Sequence, residues 1–247
     1  MDKVLYLAMS GARETMRSQQ AHANNLANAT TTGFKADFAQ ARAMQVHGDG
    51  HESRVYAMAE RPGTNTASGT LMQTGRSLDV AVDGDGWLAV LDSNGNEAYT
   101  RQGELQINQF NQLVTGSGAR VMGNGGIPIT LPPFEKLDVG GDGTITIKPL
   151  GEGAAELAIL DRIKLVNPES GELFKSTDGL MHSGNNQPLL PDNGVKLRSG
   201  FVESSNVNSI SELTSIIDLA RQFEMHVKMM KTAEENSSAA TKILSLQ

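Results

Sequence analysis

Four places in the chain carry polar groups at spacings that chemistry uses. Asp83-x-Asp85 begins like a calcium loop, in which alternate oxygen ligands wrap one cation. Trp87 occupies the next ligand position and Asn94 stands where a closing glutamate belongs, so a β-turn accounts for the pair better. His47 and His51 have the spacing of two ligands on one helical face, but Gly48 and Gly50 between them disfavour any helix. Gly116-Ser117-Gly118 is not a nucleophile elbow, and the chain holds no Walker loop, His-Glu-x-x-His or dinucleotide fingerprint. The absence of Cys excludes disulfides, thiol catalysis and Cys-ligated zinc. The expectation is a protein that is not an enzyme, with no catalytic residue, no metal ligand and no cofactor.

The fourth place is an asparagine cluster. Asn24 and Asn28 are one helical turn apart and share a face, whereas Asn25 points elsewhere. Asn is a poor helix former, so three in five residues cost helix stability. Two readings stand side by side: the cluster simply frays a helix end, with Asn28 near the C-cap, or the amides bond a neighbouring chain and fix its register.

The elements that position these residues follow from the breakers. One Gly (Gly11) precedes Gly33, none follows Gly200, and every Pro lies between Pro62 and Pro191. Two helix-competent ends therefore flank a turn-rich middle. At the N-terminus Leu5, Met9, Ala12, Met16, Ala23 and Leu26 follow a heptad seam, with Gln19 in the remaining slot, and Thr30-Thr31-Thr32-Gly33 is the stop. At the C-terminus Ser209-x-x-Glu212 reads as a capping box. Leu213, Ile216, Ala220, Phe223, Val227 and Met230 then continue at 3,4 spacing, and the seam closes on Leu244. A helix from Ser209 to about Leu246 is roughly 57 Å long, too long for one compact core to cover.

The middle reads as β. Leu78, Val80 and Val82 alternate with polar or small residues, Trp87-Leu88-Ala89-Val90 runs into an Asn94-Gly95 hairpin signal, and Ile127, Ile129 and Leu131 alternate further on. The expected fold class is α+β: a central all-β domain, sandwich or barrel-like, with long terminal helices that pair as a coiled-coil-like assembly module. The expected organisation is an N-terminal assembly helix with the Asn-rich signature (1–33), an extended connector (34–74), the β domain (75–200) and a C-terminal assembly helix (201–247).

Charge and hydropathy narrow the partners. A net charge of −7 with no Lys/Arg cluster disfavours nucleic acid. No apolar run approaches the roughly 18 residues of a membrane span, and the opening Met1-Asp2-Lys3-Val4-Leu5 lacks the basic region of a cleaved secretory signal.

The segment Asn24-Asn25-Leu26-Ala27-Asn28-Ala29-Thr30-Thr31-Thr32-Gly33-Phe34-Lys35 resembles the N-terminal signature of the flagellar rod and hook family of axial proteins. The resemblance continues through Leu78 to Trp87, Tyr99-Thr100-Arg101-Gln102-Gly103-Glu104-Leu105, Ser205-Asn206-Val207-Asn208 and Ala220-Arg221-Gln222-Phe223-Glu224-Met225, in order along nearly the whole chain. The opening Met1-Asp2, the compact length and Arg221 to Met230 are similar to the family's proximal-rod members. Ser205 stands where the family often has Gly, and Gly75-Arg76-Ser77 replaces a more usual Asn-Pro.

The resemblance implies a structural subunit of the proximal rod of the bacterial flagellar basal body, whose terminal helices pair as an inner layer and transmit torque. It also implies other rod subunits and the flagellar export apparatus as partners, and export into the periplasm-spanning rod without a cleaved signal peptide. A distal-rod or hook-type protein of the same family is the alternative. From a different class, the alternative is a β-domain enzyme or carbohydrate binder with oligomerising helical ends.

Overall fold

The computed structural model describes residues 2–38, 41–45, 55–59, 63–150, 157–169, 171–185 and 187–245. His47 and His51 lie outside the described residues. The fold is α+β. Two long helices, α1 (Asp2–Ala27) and α2 (Ser209–Ser245), come from the chain ends, and nearly all other regular structure is antiparallel strand. The chain divides into two compact units: residues 1–29, 36–65 and 207–247 form the first, and residues 30–35 and 66–206 the second.

In the first unit α1 and α2 pair antiparallel, since His22 meets Glu212 near one end and Gly11 meets His226 further along. The segment read as an extended connector contains paired strands: Ala41–Gln45 with Val55–Ala59, and Asp37–Phe38 with Gly63–Thr64. The paired strands, Ala-Arg-Ala-Met-Gln and Val-Tyr-Ala-Met-Ala, do not alternate apolar with polar residues along their length, which is why the pairing was not legible.

In the second unit the Asn94-Gly95 signal makes a hairpin, with Gly95 at φ 84° and Trp87–Leu91 paired to Glu97–Thr100. The run Trp87-Leu88-Ala89-Val90 is apolar throughout because the strand is buried on both faces. Leu88 and Val90 join one core with Val80, Leu105, Ile129 and Ile145, whereas Trp87 and Ala89 join a second with Tyr99, Val166 and Met181. These strands belong to an eight-stranded sheet, beside which lie a three-stranded sheet spanning residues 134–162 and two two-stranded ribbons. The supported description is therefore several antiparallel sheets, coarser than the sandwich or barrel expected.

Candidate assembly interface

Packing against α2 and the strands of the same unit covers a different part of α1 from the apolar seam read in its sequence. Ala8, Ala12, Glu14, Thr15 and Asn25 are buried and Leu7, Gly11, Ser18, Gln19, Ala21, His22 and Leu26 half-buried, a band about two residues wide that reaches one residue N-terminal of the read seam at Ala8, Thr15 and His22. Small side chains on this face let the two backbones approach. A Cβ at Gly11 would lie 2.4 Å from Cε1 of His226, so the imidazole occupies the space a side chain would fill. On α2 the half-buried line is Glu212, Ile216, Leu219, Phe223, His226, Met230 and Ala233.

The expected seam residues divide accordingly. Ala12 is buried, and Leu26, Ile216, Ala220, Phe223 and Met230 are half-buried. Leu5, Met9, Met16 and Ala23 on α1, and Leu213 and Val227 on α2, are exposed; Met9 retains 51% and Met16 59% of its accessible surface. Leu244 lies within α2, but its side chain is outside the described residues. Sequence periodicity found the helices and a heptad, yet favoured Met and Leu over Ala, Thr and His because it ranks positions by apolarity. Close helix packing selected small side chains instead.

At the α2 start the cap is Asn208, not Ser209. Its Oδ1 accepts from the backbone N–H of Ile210 and Ser211, and its carbonyl oxygen accepts from Glu212 N–H. Glu212 is thereby released from the expected capping box. Its Oε2 lies 2.5 Å from His22 Nδ1 and accepts a 3.4 Å bond from Asn25 Nδ2.

The asparagines also separate. Helix α1 ends at Ala27, before the threonine run, and Asn28 donates through Nδ2 to the Asn24 carbonyl at 3.0 Å and to Asn24 Oδ1 at 2.8 Å. Asn25, only 1% exposed, bonds both backbone polar groups of Asp37: Nδ2 donates to Asp37 O at 2.6 Å and Oδ1 accepts from Asp37 N at 2.8 Å. The residue that sequence reasoning set aside is the one that ties α1 to the following strand.

A second cluster lies within the other unit, and it gathers residues from three of the sequence signatures. The Glu203 carboxylate, in a residue 1% exposed, accepts from Lys35 Nζ at 2.6 Å, Gly69 N at 2.7 Å and Arg101 Nη1 at 3.0 Å. Lys35 also donates to Ala67 O and Arg101 to Gly84 O, while the guanidinium sits 5.4 Å from the Trp87 ring centroid. Burial pulls the Lys35 amine below its ordinary pKa, against the pull of Glu203. Gly33 (φ 67°) donates to the Glu203 carbonyl at 2.7 Å and rests on the Arg101–Gln102 peptide, where a Cβ would fall 2.3 Å from the Arg101 carbonyl carbon. Its place in the signature is therefore steric as well as conformational.

Long helices from both chain ends, a paired face of small residues and an exposed apolar line define a structural, assembly-type protein. Three family profiles match: "Flagella basal body rod protein" over residues 5–35, "Flagellar hook protein FlgE/F/G D1 domain" over 81–147 and "Flagellar basal body rod FlgEFG protein C-terminal" over 198–243. The chain is 38% identical to the flagellar basal-body rod protein FlgF of Salmonella typhimurium and 37% identical to that of Escherichia coli, in both cases over the full length of both chains. It is 29% identical to FlgG of Buchnera aphidicola over 94% of this chain and 95% of that protein. The chain belongs to the flagellar basal-body rod protein family and is most like its FlgF members. The family is structural and not enzymatic.

Proposed function

We propose that this chain is a proximal-rod subunit of the flagellar basal body that joins its neighbours through the helix pair. The observation that carries this reading is the exposed line of Leu5, Met9, Met16, Leu213 and Val227. Once small residues hold α1 against α2, these larger apolar side chains are left in water, where burial returns about 25 cal/mol per Å² of apolar surface. Other rod subunits supply that burial, and a continuous packed helical layer carries torque along the rod.

The length of α2 supports the same reading. The Gly11–His226 and His22–Glu212 contacts set an antiparallel register in which α1 runs out near residue 235 of α2. About ten further residues, some 15 Å of helix, extend beyond it with Ile243 exposed. Asn24 and Asn28, at the other end of α1, are proposed to bond a neighbouring backbone in addition to each other.

Delivery is proposed to use the flagellum's own export apparatus without a cleaved signal peptide. No helix among the described residues is long and apolar enough to cross a membrane. The test replaces Met9 and Met16 by Asp. Motility and rod assembly should fail while the purified monomer keeps its circular dichroism spectrum and melting temperature. Normal motility of the double variant would refute the reading.

A further inference from the structure

The second unit holds a cluster that the rod function does not use. A ligand-capable atom from each of Asp92, Asp178 and His182 lies within 4.8 Å of the other two. The sheet brings them together. Asp92 follows strand Trp87–Leu91, whose partner Glu97–Thr100 pairs in turn with Met181–Ser183, and Asp178 lies in the turn that precedes that third strand.

In each carboxylate one oxygen is committed to backbone N–H groups of its own turn. Asp92 Oδ1 accepts from Asn94 N at 2.8 Å and Asn96 N at 2.7 Å, whereas Oδ2, in a residue 4% exposed, has only a 3.4 Å contact with Asn96 Nδ2. Asp178 repeats the pattern: Oδ1 accepts from Leu180 N, and Oδ2 lies 3.0 Å from His182 Nε2. Each aspartate holds its own turn with one oxygen, and the other oxygen of Asp178 meets the imidazole.

No lysine or arginine answers them. Among the described residues neither Asp92 nor Asp178 has a Lys or Arg partner, and the nearby Lys164 is held by both oxygens of Glu97. A cleft of about 300 Å³, lined by Gly95, Asn96, His182 and Gln187 among others, borders the imidazole.

We propose that Asp92, Asp178 and His182 bind one zinc ion. One imidazole and two carboxylates with an open side suit a borderline cation that accepts three protein ligands plus water. Calcium and magnesium prefer larger, all-oxygen sets. At metal–ligand distances of 2.0–2.2 Å, tetrahedral ligand atoms stand roughly 3.3 Å apart, so the groups close by up to about 1.5 Å. The exposed Asp178 turn can make that movement. Bound zinc would tie the Asp92 turn to the hairpin spanning residues 173–183.

The test is isothermal titration of the full chain with zinc chloride alone, at neutral pH in a non-chelating buffer. The expected result is one ion per chain with Kd below about 100 μM. His182→Ala and the conservative surface change Asp178→Asn should each weaken binding at least about tenfold. A His47→Ala/His51→Ala double variant, which removes the other histidine pair, should bind as the parent does. Circular dichroism confirms folding, and if His182→Ala fails to fold, Asp178→Asn carries the test. Kd above about 100 μM, or binding that survives Asp178→Asn and disappears with His47 and His51, overturns the proposal.

Discussion

Gly11→Ala separates local helix propensity from the packing of α1 on α2. In an isolated helix this change is favourable by about 1 kcal/mol, because alanine loses less backbone freedom on ordering. Here the new methyl would stand 2.4, 2.8 and 3.0 Å from Cε1, Nε2 and Nδ1 of His226, all inside van der Waals contact. The ring has to move, and it is half-buried, with Nδ1 already enclosed and without a hydrogen-bond partner. Overpacking of this kind costs about 1–3 kcal/mol, so Gly11→Ala should leave the parent chain unchanged to about 2 kcal/mol less stable. In a His226→Ala background the obstruction is gone, and the same substitution should stabilise by up to about 1 kcal/mol. A double-mutant cycle on thermal or urea unfolding, followed by helical circular dichroism, measures the coupling, expected at about 1–3 kcal/mol. Equal stabilisation by Gly11→Ala in both backgrounds would refute the packing of His226 into the Gly11 notch.

Glu203→Ala leaves Lys35 and Arg101 buried together without their shared carboxylate. The expected loss is about 3–5 kcal/mol, read from the denaturation midpoint by fluorescence of Trp87, the single tryptophan, which Arg101 overlies. Asn25→Ala removes both bonds to the Asp37 peptide and should cost about 1–3 kcal/mol, whereas Asn24→Ala, at an exposed site, should stay within about 0.5 kcal/mol; equal effects would contradict the assigned roles. The Asp142 carboxyl is held below the usual carboxylate range by hydrogen bonds from the Thr144 hydroxyl and N–H. Its contribution is present above the unfolded-state pKa of about 3.8 and is lost as pH falls through the lower folded value, because the unfolded chain binds the proton more readily. Stability measured between pH 5 and 2 should therefore fall less steeply in Asp142→Asn, and an unchanged slope would oppose the assignment.

Signals within one element were legible, and those between elements were not. Gly and Pro placement located both helices, and Asn94-Gly95 located the hairpin, because each acts on backbone torsions over a few residues. The choice of face on α1 was not available from apolarity: Gly11 and His22 gain their place from what α2 brings against them. Similarly, Glu212 satisfied the spacing of a capping box until Asn208 filled the cap and an imidazole on the other helix claimed the carboxylate. Lys35, Arg101 and Glu203 meet only through tertiary structure, although two of them lie in segments that carried the family resemblance. Asp178 and His182 are four residues apart, but Asp92 lies 86 positions before Asp178 and joins them only through the sheet.

The central claim, that the exposed line of the helix pair faces neighbouring subunits, is tested most directly in the assembled rod. Since the chain has no native cysteine, Met16→Cys or Met9→Cys introduces a unique thiol to which a short photocrosslinker can be attached. In isolated basal bodies both positions should form crosslinks to an adjacent subunit, while the same variants remain uncrosslinked as dilute monomer. Efficient incorporation into rods with no intersubunit crosslink from either position would contradict the claim.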